Sequence, residues 1–340
     1  MSTELSERRK RRALTLWLIA GALAAIAAIT IGIEYRATRP DLASGPVLPG
    51  LSETIRNGQR IIIVSADASY RIERAQRGEQ SVWVMRDRDD FPVQAARLAQ
   101  LTEGLQGLRY TRRMTNDPSK HERLGVGDPR EGGRGVLVQI EDARGALLVN
   151  LILGIEPSGL YVRRPDSDQT WAARGELPPL RNVAAWLELR PLDMPPERLA
   201  RVEIMPREGR AYILGRESAD MPWRIVAPAL ATLAQSSVTA AAERITQLSP
   251  IDVRTAPAIQ APAVARVRAT TFDGVTLDAE LIESDRRIWL KLVARAETPE
   301  QEAAALEINN RAAPWAYALD EMDAQGLAPP LGALIPGVAE

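Results

Sequence analysis

The chain of 340 residues has no cysteine, one histidine, two phenylalanines and, among its 43 basic residues, only three lysines. The lack of cysteine excludes disulfides, a thiol nucleophile and thiolate metal ligands, so any folded body must depend on its hydrophobic core. Because His121 is the one histidine, sites that need several imidazole ligands are excluded as well. A formal net charge of −1 gives no reason to expect a nucleic acid as partner.

Long apolar runs are also scarce, with one exception near the N-terminus. Residues 13–33 (ALTLWLIAGALAAIAAITIGI) carry no charge and, as a helix, match the roughly 30 Å of a bilayer core. Five basic residues, 8–12, precede this run, and the positive-inside rule then keeps residues 1–12 in the cytoplasm as a basic tail. Cleavage as a secretory signal after Ala25-Ile26-Ala27 is the alternative. The apolar run continues to Ile33, which favours an uncleaved single-pass anchor.

The remainder predicts two similar units after a linker. Residues 34–57 contain several prolines and glycines and are predicted to be a linker, followed by repeats at 58–194 and 200–328 and a C-terminal tail at 329–340. The predicted fold class is α+β: a single N-terminal transmembrane helix, then two tandem, internally duplicated units, each made of antiparallel strands and one amphipathic helix.

The duplication is inferred from self-similarity at a long period. At an offset of 140 residues, Ile62 matches Val202 and Trp83 matches Trp223. The apolar stripe of the first helix (Leu98, Leu101, Leu105, Leu108) falls on that of the second (Val238, Ala241, Ile245, Leu248). Further on the offset drops to 128–129 and carries Gly145 of a predicted hairpin onto Gly274. The alternative is that two α+β segments share apolar spacing by coincidence.

Residues 60 to about 200 resemble a known but uncharacterised family. The matching residues are Trp83-Val84, Phe91-Pro92, Leu105-Gln106-Gly107-Leu108, Leu124-Gly125-Val126-Gly127-Asp128-Pro129, Leu153-Gly154 and Gly159-Leu160-Tyr161-Val162-Arg163. The chain is similar here to a bacterial domain of unknown function in single-pass membrane proteins, often encoded beside gliding-motility-type ABC transporter components. That family usually has an aromatic residue where this chain has Arg123.

The resemblance implies a location and a class of partner. It implies an extracytoplasmic accessory role near an ABC transport system. Together with the positive-inside rule, this predicts a chain in the bacterial inner membrane with its N-terminus cytoplasmic and its body periplasmic. The expected partners are therefore the inner membrane and membrane transport-complex proteins. The family has no established catalytic residues, so the resemblance assigns none to this chain.

Sequence patterns for chemistry are few. His121 is surrounded by charged residues and is predicted to lie in an exposed turn. No P-loop lysine follows a Gly-x4-Gly pattern, so we expect no nucleotide and no cofactor. Asp87, Asp89 and Asp90 offer oxygen ligands for calcium, but they lack the glycine and bidentate glutamate of a calcium loop, and a solvated turn is the alternative.

The drop in offset places about a dozen extra residues in the loop 115–135 of the first unit. Long loops with glycine and proline are frequent binding sites, whereas a tolerated insertion is the alternative. The candidate partner-binding residues in this loop are Lys120, His121, Glu122, Arg123, Asp128, Arg130 and Arg134.

Two functions remain open from the sequence. The first is a membrane-anchored extracytoplasmic scaffold or binding module, an accessory of an ABC-type transport or cell-envelope complex without catalysis of its own. The second is an extracytoplasmic hydrolase of envelope glycans that uses only carboxylates. The hydrolase requires two acids in one cleft, one of them with a raised pKa.

Overall fold

The computed structural model describes residues 45–78, 80–228 and 234–335, which form two antiparallel sheets. The strands of the first sheet are β1 (Gly45–Pro46), β2 (Gly58–Val64), β3 (Ser69–Arg77), β4 (Gln80–Met85), β5 (Phe91–Pro92), β6 (Arg109–Arg113), β7 (Val136–Asp142), β8 (Leu147–Glu156), β9 (Gly159–Arg163) and β10 (Thr170–Arg174). The strands of the second sheet are β11 (Leu199–Met205), β12 (Tyr212–Gly215), β13 (Arg224–Ala227), β14 (Asp252–Thr255), β15 (Ala263–Thr271), β16 (Val275–Ser284), β17 (Arg287–Ala296) and β18 (Trp315–Leu319).

The order of the strands is alike in the two sheets. The first runs β1-β6-β10-β9-β8-β7-β2-β3-β4-β5, and the second runs β14-β18-β17-β16-β15-β11-β12-β13. Each of β6, β10, β9, β8, β7, β2, β3 and β4 thus has a counterpart at the same place in the second sheet, and β1 and β5 are additional. The boundaries predicted for the two repeats, 58–194 and 200–328, stay a prediction.

Each sheet has an inner face that packs on helices and an outer face that carries most of its charges. In β2, Ile61 and Ile63 are buried while their neighbours are half-buried or exposed, as strand alternation requires. The helices are α1 (Leu51–Thr54), α2 (Ala95–Gly107), α3 (Gln235–Glu243), α4 (Glu302–Ala312) and α5 (Glu321–Leu327). Helix α2 buries Leu101 and Leu105 in the main core.

Matching tyrosines fasten the inner faces of both sheets to the segments that follow their last strands. Tyr70 on β3 donates a hydrogen bond of 2.8 Å to the carbonyl of Leu180, and Tyr212 on β12 donates one of 2.8 Å to the carbonyl of Pro329. Both rings are buried, which is why each hydroxyl has a partner. Burial raises the pKa of both hydroxyls, so they stay protonated donors.

The predicted fold class is wrong. The described residues form two wide antiparallel sheets with few helices, and the second sheet is accompanied by three helices, α3, α4 and α5, rather than by one. Within residues 45–78, 80–228 and 234–335, no helix has the length and apolar character needed to cross a membrane. The transmembrane helix predicted at residues 13–33, and the tail at 1–12, lie outside the described residues.

The ends of the body are also more ordered than a linker and a tail. Residues 45–57 contribute β1 and α1, and Val47 and Leu51 are buried in the main core. At the other end, Leu334 is buried in the same core. The hydrophobic core therefore draws on residues from both segments predicted to be peripheral.

One turn of the first sheet joins it to the second. Arg88 forms an ion pair with Asp252 at the start of β14, and Arg287 holds the other carboxylate oxygen of Asp252 at 3.0 Å. Asp89 accepts a hydrogen bond of 2.8 Å from the backbone nitrogen of Thr255. The ring of Phe91 packs edge-on against Trp315, with centroids 4.8 Å apart. The acidic turn 86–90 is therefore a junction between the sheets, and no metal-binding group of three acidic, histidine or cysteine residues occurs in the described chain.

Candidate partner-binding site

The predicted loop forms a compact cap on the outer face of the first sheet. We define the cap as residues 114–135. It contains three short 3-10 helices, Pro118–Lys120, Glu122–Leu124 and Pro129–Glu131. Asp117 and Asp128 start two of them, because their carboxylates accept backbone hydrogen bonds from residues two positions later.

A small apolar core fastens the cap to the strands beneath it. Val126 is fully buried against Leu137 on β7, Ile152 on β8 and Tyr161 on β9. This cluster is separate from the main core on the inner face. Removing the whole loop would expose these strand residues to water, so the cap is part of the fold rather than a dispensable insertion.

A glycine on β8 lets the cap approach the sheet. A Cβ atom at Gly154 would overlap the carbonyl oxygen of Leu124, so only glycine leaves room for the cap backbone there. Gly125, the next residue of the cap, has φ 62°, a left-handed conformation that favours glycine. The Leu-Gly pairs at 124–125 and 153–154 thus meet across the interface between cap and sheet.

Two buried side chains bind the cap to the turn between β9 and β10. The Nε2 atom of His121 lies 2.8 Å from the carbonyl oxygen of Asp168, and the imidazole is only 6% exposed. Arg163 donates through Nε to the carbonyl of Val126 at 3.1 Å and through Nη1 to that of Ser167 at 3.2 Å. Burial lowers the pKa of the Arg163 guanidinium. The prediction of an exposed His121 is wrong, because the ring is a structural contact of the cap.

The charged residues of the cap mostly pair with one another. Arg130 holds both carboxylate oxygens of Asp128, at 3.0 and 2.6 Å, and this fork of hydrogen bonds lowers the pKa of the Asp128 carboxyl. Arg134 donates to the carbonyl of Glu122 at 2.6 Å and its Nε lies 3.6 Å from the Glu122 carboxylate.

The structure therefore brings the seven predicted residues into one cap but gives them different roles. The side chains of Lys120 and Arg134 are 54% and 60% exposed, and Arg123 is exposed as well. In contrast, Asp128 is 10% exposed and His121 is buried. Glu122 and Arg130 are 53% and 51% exposed, so a partner could reach these two side chains as well as Lys120, Arg123 and Arg134.

Two cavities of the described chain do not present a pair of free carboxylates. A cavity of about 490 Å³ beside β12 and β13 is lined by one acid, Glu217. A cavity of about 60 Å³ is lined by Asp193 and Glu307, but Arg311 lies 3.8 and 3.6 Å from their oxygens. Both acids of the smaller cavity thus have an arginine as ionic partner.

Sequence reasoning missed Arg163, which orients the cap from the end of β9. Its position in a strand that reads Leu-Tyr-Val-Arg gives no sign that the guanidinium is buried, because charged residues are almost never fully buried unless paired. The sequence signal that could have revealed the cap was the pair of Leu-Gly steps, since glycine inside a strand marks a close approach of another backbone.

The comparisons with known proteins give a family but no function. No curated protein and no solved structure matches the chain. A family model described as a domain of unknown function, DUF4340, matches residues 83–262, which extend from β4 through the cap to the segment before β15. As this match covers more than half of the chain, the protein belongs to the DUF4340 family.

Proposed function

We propose that the protein is an extracytoplasmic scaffold or binding module, an accessory of an ABC-type transport or cell-envelope complex, with no catalysis of its own. The observation that carries this proposal is the cap. It is fixed on the outer face of the first sheet by buried contacts, and it presents Lys120, Arg123 and Arg134 to solvent. A rigid surface with exposed basic side chains suits protein binding, because little conformational entropy is lost on association.

The proposed location is the periplasmic side of the bacterial inner membrane, with residues 1–12 in the cytoplasm. Its support is the basic tail and the apolar stretch that follows it in the sequence. Protease added to spheroplasts should digest the body in this orientation. Complete protection of the body, or a mature product that begins near residue 28, would contradict it.

The partner test uses substitutions on the cap surface, since deletion of the loop would expose Leu137 and Ile152. We expect in-cell crosslinking of the wild type to capture a membrane-embedded transport protein. The variant Lys120→Ser/Arg123→Ser should lower that capture by about tenfold, which corresponds to about 1.4 kcal/mol. Neither side chain packs in the apolar core, so the melting temperature should not change.

The matched control is Arg144→Ser/Arg210→Ser. These two arginines are exposed and lie in turns outside the cap, one in each sheet, so the control removes the same charge. Equal losses in both variants would mean that capture depends on net charge alone. A wild type that yields no membrane partner under conditions that crosslink known complexes would overturn the proposed function.

A further inference from the structure

Three arginines share the outer face at the far end of the first sheet. Arg109 on β6 is opposite Arg174 on β10, and Arg112 is opposite Ala172, so all three side chains project to one side. We name Arg109, Arg112 and Arg174 the basic strip. All three are exposed, and none forms an ion pair or side-chain hydrogen bond with any residue of the described chain.

Several arginines elsewhere on the outer faces have acidic neighbours. On the second sheet, Arg266 lies 3.1 Å from Glu280 and Arg268 lies 2.7 Å from Asp278. On the first sheet, Arg60 lies 2.7 Å from Glu73. The chain as a whole has nearly balanced charges. The basic strip, in contrast, is a local surface of three positive charges with no neighbouring carboxylate.

The position equivalent to Arg112 in the second sheet carries a charged residue that has an ionic partner. A row of paired residues crosses the outer face of the first sheet as Gly154, Tyr161, Ala172 and Arg112. The equivalent row of the second sheet is Ile282, Trp289, Ala318 and Asp252. Asp252 therefore occupies the position of Arg112 with the opposite charge, and Arg88 of the junction turn is its ionic partner.

The junction also shows what kind of segment docks there. The turn 86–90 contacts β14 through side chains and backbone: Asp89 accepts from the backbone nitrogen of Thr255, and Arg254 donates to the carbonyl of Asp87 at 3.2 Å. On the first sheet, β1 pairs only with Arg109 and Tyr110 of β6. The remaining residues of β6 have no strand on that side within the described chain.

The shape of the surface favours a polypeptide over a bilayer. The cap covers the same outer face above β7, β8 and β9, so the basic strip lies beside a raised element rather than on a flat surface.

We infer that the basic strip binds an acidic turn or extended segment of a partner protein alongside β6. Carboxylates of the partner would accept hydrogen bonds from the three guanidinium groups, which match carboxylate geometry. This inference rests on the proposed function, because it specifies the chemistry of the partner that a binding module would hold. It concerns a surface separate from Lys120, Arg123 and Arg134 of the cap.

The test uses the full chain in nanodiscs of neutral phosphatidylcholine and a fluorescent peptide of five Glu-Thr repeats. This alternation places every carboxylate on one face of a strand, whereas a control peptide of five glutamates followed by five threonines has the same charge without that face. We expect the wild type to bind the alternating peptide several times more tightly. Arg109→Gln/Arg112→Gln/Arg174→Gln should weaken this binding about tenfold.

The matched protein control is Arg201→Gln/Arg266→Gln/Arg268→Gln, which removes three exposed arginines from the outer face of the second sheet. Its affinity for the alternating peptide should change less than twofold. Equal losses in both variants, or equal binding of both peptides, would overturn the inference by showing a general charge effect.

Two further outcomes separate this inference from its alternatives. Suppose that the wild type fails to bind the alternating peptide, and that its strip arginines are protected from phenylglyoxal only in nanodiscs with phosphatidylglycerol. The strip is then a membrane contact, and the inference is wrong. If the strip variant keeps the crosslinked partners that the cap variant loses, the proposed function stands and the inference about the strip fails.

Discussion

The two sheets have the same strand order but treat their outer faces in different ways. In the second sheet, Ile282 and Trp289 fill that face themselves and are covered by the short segment around Ile259. In the first sheet, the position of Ile282 is Gly154, and the space is taken by the backbone of the cap. The same strand order thus allows the outer face to be covered in two ways, by side chains in the second sheet and by the cap in the first. We place partner binding on the cap.

The largest effect on stability should come from replacing Gly154 of the first sheet by isoleucine, the residue at the equivalent position of the second sheet. Gly154→Ile places a side chain where the carbonyl of Leu124 lies, so the cap cannot seat. We expect a loss of about 3 kcal/mol in the free energy of unfolding, at the upper end for overpacking. Limited proteolysis should cut within residues 115–135 of this variant.

The control for that variant is Gly107→Ala, at the end of α2, where an added Cβ has no atom within 4 Å. Its stability should be unchanged or slightly higher, because alanine favours the helix. If Gly154→Ile unfolds at the same denaturant concentration as the wild type, the cap does not depend on close approach at this position.

A smaller loss is expected from breaking the junction. Asp252→Ala leaves Arg88 and Arg287 without their shared carboxylate, at a site where the aspartate is 12% exposed and the arginines 20% and 50%. Loss of a buried pair costs about 3–5 kcal/mol, and partial exposure should reduce this to about 2 kcal/mol. Chemical denaturation followed by tryptophan fluorescence measures it.

Asp278→Ala is the comparison for the junction, because Asp278 also pairs with two arginines but lies on the outer face of one sheet. We expect a loss below about 1 kcal/mol there. If the two alanine variants are equally stable, the junction contributes no more than an ordinary surface pair, and the sheets are not held together by this contact.

The next effect depends on pH and concerns an ion network on the outer face of the first sheet. Hydrogen bonds from Arg86 and then Arg60 lower the pKa of the Glu73 carboxyl. A lowered pKa in the folded state means that the stabilisation is present above the unfolded value of about 4.3 and is lost as the pH falls below it. At pH 7, Glu73→Gln should therefore have a lower free energy of unfolding than the wild type. At pH 3, the difference in free energy of unfolding between the two proteins should be smaller. An equal difference at both values would contradict this.

The smallest effect on stability is expected on the exposed part of the cap. Arg123 has no ion pair or hydrogen bond with any described residue, so Arg123→Ser should change the free energy of unfolding by less than about 0.5 kcal/mol. The corresponding change at the buried His121 (His121→Ser) should cost more, since it removes the contact with Asp168. Thermal unfolding of the two variants compares them directly, and equal melting temperatures would mean that His121 does not hold the cap.

Local patterns in the sequence predicted parts of this architecture. The hairpin around Gly145 is confirmed, with β7 paired to β8 and φ 80° at the glycine. The apolar stripe of α2 is confirmed by the burial of Leu101 and Leu105, and Leu108, which follows the helix, is buried as well. These features depend on residues close in sequence, where spacing and turn residues carry most of the information.

Features that depend on register were predicted less well. Matching Ile62 to Val202 was wrong by one residue, because the ladder places Ile61 and Ile63 on the same face as Val202 and Ile204. A shift of one residue in a strand exchanges its two faces, and a single offset cannot follow loops of different length.

The burial of cap side chains could not be predicted from the sequence for a different reason. The charged neighbours of His121 indicated solvent exposure, yet the ring is covered by a turn more than forty residues away. The basic strip likewise depends on the pairing of β6 with β10, two strands that are separated by the entire cap and three other strands. Long-range pairing decides which charges become neighbours.

The borders of the two sheets have a consequence for solubility. An open sheet can recruit further strands and aggregate, and a chain without cysteine has no disulfide to prevent partial opening. The first sheet ends in β1 and β5, each only two residues long and each containing a proline, Pro46 and Pro92, that cannot donate a ladder hydrogen bond. The junction turn shields β14 in the second sheet. The same turn that unites the sheets thereby also covers an edge strand that could otherwise pair with another chain.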